Sequence, residues 1–115
     1  MFFLQHGLAA DSETWLLNGD NSTAFYFAKL GYDVWCGNNR ANQYSRKHDT
    51  LNPDNSVDAK QFFNFSFWEM AKYDAPNQID YVRDITGKDK VSYMGHSQGT
   101  TQMFTALAEK FGDLD

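Results

Sequence analysis

Histidine is scarce in this 115-residue chain, and unevenly placed: only His6, His48 and His96 occur, and none follows position 96. Cysteine occurs once, at Cys36, which excludes an internal disulfide and says little about compartment. Basic residues are outnumbered, ten Lys and Arg against fifteen Asp and Glu, for a net charge of −5. Such a chain offers little to a phosphate backbone, so nucleic acid is not an expected partner. No apolar run approaches membrane-spanning length, so no transmembrane segment is expected, and the residues from Met1 are not expected to act as a signal peptide. Cys/His clusters at metal spacing and glycine-rich phosphate loops are missing, so neither a metal nor a cofactor is expected. Repeats, linkers and low-complexity tracts are missing too.

What is present centres on Lys90 to Phe104. An apolar-rich run, Val91 to Met94, meets the tight turn Gly95-His96-Ser97-Gln98-Gly99, and Met103, Phe104, Leu107, Ala108 and Phe111 then recur as in a helix. Strand, turn and helix with a serine at the apex form the G-x-S-x-G pattern, which resembles the nucleophile elbow of α/β-hydrolases. A serine hydroxyl attacks an ester only when a base takes its proton and the backbone leaves it clear. Very small residues two positions either side, Gly95 and Gly99, are required because a Cβ there would crowd the strand-to-helix crossing. A helix starting near Gln98 aims its free N–H groups at the developing negative charge, making the Gln98 N–H one expected oxyanion donor.

The remaining chain has the hydrophobic content, 42%, to bury a modest core in one domain at most. Phe2 to Gln5 reads as a buried strand running into His6-Gly7-Leu8, the place where α/β-hydrolases carry a second oxyanion donor, here the N–H of Leu8. Asp11 to Asp20 is polar, with Trp15, Leu16 and Leu17 as its anchors. A helix is expected from about Ser22 to Leu30, with Ala24, Phe25, Phe27, Ala28 and Leu30 apolar and Gly31 past its end. Tyr32 to Cys36 is the next strand, with Cys36 packed as a small hydrophobe. Gln43 to Asp58 is the least regular part, with turn chemistry at Asn52 to Asn55 and a solvated Arg46-Lys47-His48 cluster. Phe62, Phe63, Phe65, Phe67 and Trp68 are expected to be buried or covered, as core or as an apolar substrate wall. Asp74 is expected to cap a helix starting at Ala75-Pro76, with Ile79, Val82 and Ile85 on one face and Gly87 ending it. Alternating strands and helices predict three parallel strands, with the elbow before the last helix.

These residues together resemble the acid lipase family of α/β-hydrolases. The segments that carry the resemblance are Leu4 to Leu8, Leu30 to Trp35, Gly37-Asn38 with Arg40, Ser45 to His48, Phe65 to Phe67, Glu69 to Asp74 and Tyr93 to Thr101. The resemblance implies a serine hydrolase of lipid esters, triacylglycerols or sterol esters, working without metal or cofactor, at a lipid–water interface. Ser97 falls on the family's nucleophile, Leu8 and Gln98 on its oxyanion-hole N–H groups, with Gly95, His96 and Gly99 supporting the elbow. It further implies a secreted, lysosomal or lipid-droplet location, with Asn21 and Asn64 as candidate glycosylation acceptors. The chain departs from the family at Ala9, Cys36, Asn39 and Ala41, which are loop and packing changes.

In α/β-hydrolases the acidic residue and the histidine of the triad follow the serine. After Ser97 the chain has Glu109, Asp113 and Asp115 and no histidine. The chain is therefore expected to be the N-terminal and central segment, residues 1–115, of one α/β-hydrolase domain, without its lid and C-terminal part. Two alternatives stand beside the lipase reading: a carboxylesterase or thioesterase with the same mechanism, and a non-catalytic remnant or binding module.

Overall fold

Leu4 and Phe3 show how the chain is layered. In the computed structural model, which describes residues 1–114, both are buried, on opposite faces of the central strand β1, Phe2–Gln5. Leu4 packs with Trp15 and Ala24, while Phe3 stacks on Tyr93. Alternate side chains of a strand point to opposite faces, so a strand buried on both sides needs apolar residues in succession. β1 lies between β2, Val34–Gly37, and β3, Ser92–Gly95, parallel to both, in the order β2-β1-β3. The expected parallel α/β arrangement is what forms, with β2 and β3 displaced by one or two residues toward their C-terminal ends.

Helix α1, Thr23–Lys29, covers the Leu4 face; α4, Ala75–Thr86, and α5, Gln98–Ala108, cover the other through Ala75, Ile79 and Met103. The connection after β1 therefore leads to one face and that after β3 to the other. Adjacent parallel strands that part in this way leave a crevice beyond their carboxyl ends, where α/β proteins bind ligands. His6 and Ser97 both lie at that crevice, just past β1 and β3.

Several local expectations are corrected. Ser22 occupies the N-cap position of α1, but its hydroxyl donates back to the Gly19 carbonyl and caps nothing. Only Ala24 of that helix is buried; Phe25, Tyr26 and Leu30 are exposed, and Phe27 stacks on Phe2 with ring centroids 4.3 Å apart. Trp15 is the one anchor of its loop, since Leu16 and Leu17 are exposed. The stretch read as irregular, Gln43 to Asp58, ends in the first turn of α2, Ser56–Phe62, which is capped by the Asn55 side chain accepting from Val57 N–H at 2.8 Å. Asn55 with Asp58 in the first turn is a helix-start signal that the neighbouring turn chemistry obscured.

Asp74 does not cap α4. The helix begins earlier, at α3, Phe67–Glu69, where Ser66 and Glu69 form a capping box. It passes into α4 through a π turn, Met70–Asp74, closed by the Ala75 N–H on the Met70 carbonyl. Pro76 lacks an N–H and would clash with the carbonyl four residues back, and a widened turn just before it meets that constraint. Gly87 ends α4 in the left-handed conformation at φ 64°, as expected. Ile79 and Val82 are buried, but Ile85 is exposed. Of the aromatic cluster only Phe62 is buried; Phe63, Phe67 and Trp68 are exposed. The buried face of α5 is Gly99, Gln102, Met103 and Ala106, at the i, i+3, i+4, i+7 spacing of one stripe. Phe104 and Leu107 instead line an open groove of about 800 Å³ beside β3, with Val91 and Met94.

Candidate active site

Ser97 stands at the apex of the β3–α5 turn with φ 51° and ψ −118°, exposed to solvent. An L-residue adopts that conformation only where its surroundings force it, at a cost of about 1 to 3 kcal/mol. The forcing contacts are visible. A Cβ on Gly95 would lie 2.7 Å from the Gly99 carbonyl carbon and the Thr100 nitrogen. A Cβ on Gly99 would lie 2.6 Å from the Gln5 carbonyl oxygen and 2.7 Å from that of His6. The two glycines therefore serve different approaches, one of strand to its own helix, the other of helix to β1. Two side chains brace the turn: the Tyr93 hydroxyl donates to the Gly99 carbonyl at 2.7 Å, and Thr100 Oγ1 to the Gly95 carbonyl at 2.9 Å. Neither was singled out from the sequence. Burial of Tyr93 pushes its phenol well above the usual tyrosine range.

The His6-Gly7-Leu8 loop lies against this turn. A Cβ on Gly7 would sit 3.1 Å from both Ser97 Cβ and His96 Nδ1. Among the described residues, the N–H groups of Leu8 and Gln98 donate to no protein acceptor, whereas those of Gly99 and Thr100 are already engaged with the His96 and Ser97 carbonyls. Unengaged N–H donors are what an oxyanion hole requires. The Leu8 side chain is exposed.

The histidines divide by role. His6 is buried, with Nε2 accepting from the Asn39 N–H at 3.1 Å and Nδ1 facing the Gly7 carbonyl at 2.8 Å. Exposed His48 accepts from the Thr50 and Leu51 N–H groups at Nδ1. His96 is exposed and its N–H continues the sheet pairing onto the Gln5 carbonyl. Among the described residues none bonds to Ser97 Oγ, and Asp113 pairs with Arg83. Asp115 lies outside the described residues. Cys36 is half-buried against the Leu4 cluster, and burial pushes its thiol up, as suits a packing residue. Asn21 and Asn64 are both exposed.

The crevice has one further support. Arg40, following β2, donates through its backbone N–H and Nε to the Asp74 carboxylate at 3.0 and 2.8 Å, with Nη2 at 2.7 Å. Its guanidinium lies 5.8 Å from the Phe65 ring centre and 5.5 Å from that of Tyr73. This explains why Asp74 is unavailable as a cap.

A family model described as alpha/beta hydrolase fold matches residues 1–113. The chain belongs to that family. Within the α/β-hydrolases it is 51% identical over 108 residues to the lysosomal acid lipase/cholesteryl ester hydrolase of Homo sapiens, covering 93% of this chain and 26% of that protein. It is 50% identical over 107 residues to the gastric triacylglycerol lipase of Mus musculus, covering 92% and 26%. To lipase lipl-5 of Caenorhabditis elegans it is 48% identical over 113 residues, covering 97% and 27%. The acid lipase resemblance read from the motifs is thus borne out. The chain spans about a quarter of the length of these relatives. No helix among the described residues is long and apolar enough to cross a membrane.

Proposed function

We propose that this chain carries the nucleophile and oxyanion loop of a serine lipase that hydrolyses triacylglycerols or sterol esters at a lipid–water interface. The observation that carries the reading is the strained, exposed Ser97 with the Gly7–Leu8 loop packed against it. The names of the relatives support the substrate class. Ser97 Oγ attacks the acyl carbonyl carbon as a base accepts its proton, and the carbonyl oxygen becomes an oxyanion held by the Leu8 and Gln98 N–H groups. Collapse expels the alcohol, which takes the proton, and water then releases the acid by the same route. Among the described residues His6 is held by hydrogen bonds, His48 faces its own loop and His96 makes no side-chain bond to Ser97 Oγ, so on this reading the base and its acidic partner, like the lid, belong to a longer protein. The 115-residue chain alone is expected to turn over little ester.

The test is labelling of the longer protein with a fluorophosphonate probe beside a Ser97→Ala control, followed by hydrolysis of long- and short-acyl esters. Labelling lost with Ser97 and a preference for long acyl chains are expected. Labelling that survives Ser97→Ala would overturn the site, and a strict short-acyl preference would make the enzyme a carboxylesterase.

A further inference from the structure

A fully buried polar chain links the two sides of the crevice, and catalysis through Ser97 does not by itself require it. Asn39 and Gln102 are 1% and 0% exposed and exchange two amide hydrogen bonds, Asn39 Nδ2 to Gln102 Oε1 at 2.7 Å and Gln102 Nε2 to Asn39 Oδ1 at 3.2 Å. The Asn39 backbone N–H donates to His6 Nε2. Asn42 Nδ2 lies 3.3 Å from the same nitrogen while donating to Asn38 Oδ1 at 2.8 Å. A backbone N–H can only donate, so Nε2 carries no proton, the ring proton sits on Nδ1, and Nδ1 donates to the Gly7 carbonyl.

That last bond has a geometric consequence. The Gly7 carbonyl and the Leu8 N–H belong to one planar trans peptide and point in opposite directions. Holding the carbonyl therefore aims the N–H. At the other end, Gln102 lies four residues along α5 from Gln98, on the same face one turn later. The chain thus runs from the helix that bears one unengaged N–H to the peptide that bears the other.

We propose that His6, Asn39 and Gln102 form a positioning relay that sets the Leu8 and Gln98 N–H groups relative to each other. None of the three touches substrate. The Asn39–Gln102 pair anchors His6 to the elbow helix, and His6 aims the Leu8 N–H. The proposal rests on the reading of these two N–H groups as oxyanion donors. A buried amide pair adds little net stability over an apolar pair of the same shape, so the relay acts on geometry more than on folding.

The test uses the longer protein and compares His6→Phe, which keeps the ring shape and removes the donor, with His6→Asn, whose amide nitrogen stands near the place of Nδ1. The readouts are kcat and KM on a p-nitrophenyl ester, Tm, and inhibition by an alkyl trifluoromethyl ketone, whose tetrahedral adduct puts an oxyanion in the hole. Loss of an aimed donor should lower kcat about 10- to 100-fold in His6→Phe and weaken the ketone by a similar factor, with KM changed less than about twofold. His6→Asn should recover most of that loss. The double variant Asn39→Leu/Gln102→Leu should keep Tm while lowering kcat. Should His6→Phe not fold, His6→Gln replaces it, and the relay then requires His6→Asn to be the faster of the two. Equal kcat in the Asn variant and its comparator, or an unchanged kcat in the double variant, would overturn the relay. Activity that survives Ser97→Ala would overturn the site instead, which keeps the two failures apart.

Discussion

The Tyr93 hydroxyl and the Gly99 carbonyl are joined by a hydrogen bond of 2.7 Å that spans the elbow from the strand before Ser97 to the helix after it. It fastens the first turn of α5 to β3, the segment that must hold Ser97 against its own backbone preference. Tyr93→Phe removes the bond and little else, at an expected cost of about 1 kcal/mol. Burial raises the Tyr93 pKa in the folded protein. Its contribution to stability is therefore fully present below the unfolded tyrosine value and is lost as pH rises toward the folded one. Thermal unfolding at neutral pH and at increasing alkaline pH should show the loss in the native protein and a shallower alkaline slope in Tyr93→Phe.

Ser97→Gly should make the protein more stable and inactive. Glycine adopts φ 51° without the Cβ penalty, so about 1 kcal/mol of strain is relieved. Ser97→Ala removes the hydroxyl and keeps the strain. Chemical denaturation of the two variants separates backbone strain from loss of the nucleophile; equal stabilities would mean that the conformation costs nothing.

Gly99→Ala should destabilise by about 3 kcal/mol and reduce Ser97 labelling, because the new methyl would meet the Gln5 and His6 carbonyl oxygens, which are backbone atoms at the C-terminal end of the central strand. The Gln5 carbonyl cannot withdraw without breaking its bond to the His96 N–H, which extends the β1–β3 pairing. Tm and fluorophosphonate labelling rate should fall together. Gly19→Ala is the control of opposite kind: its added Cβ meets nothing within 4 Å, and its penalty comes only from φ 52°.

Asp74→Asn should cost about 2 kcal/mol, since it leaves the Arg40 guanidinium, only partly exposed, between two aromatic rings without its countercharge. Arg40→Lys should lose nearly as much, because an ammonium cannot reproduce the Nε and Nη2 contacts of the fork. A double-mutant cycle on the pair, read by denaturant unfolding, checks the coupling; additive losses would mean that the contacts contribute independently.

Much of the candidate site was legible before the fold was described, because the elbow is local: its glycines, its serine and the flanking strand and helix patterns lie within fifteen residues. The helix caps were read less well. Asp74 next to Ala75-Pro76 has the chemistry of a cap, and only the position of Arg40, thirty-four residues earlier, decides that its carboxylate is used elsewhere. Gln102 likewise reads as a polar interruption in an apolar run, and Asn39 as a loop change. That they pair depends on α5 crossing the end of β1 toward the loop after β2.

The sequence by itself determined the alternation of strands and helices, the serine at a forced turn and the kinship with acid lipases, since each rests on patterns a few residues long. The tertiary structure decided which apolar residues are buried, how His6 is held and which backbone carbonyls approach Gly99. Those outcomes depend on the strand order β2-β1-β3 and on contacts between segments dozens of residues apart, and no local pattern carries that information.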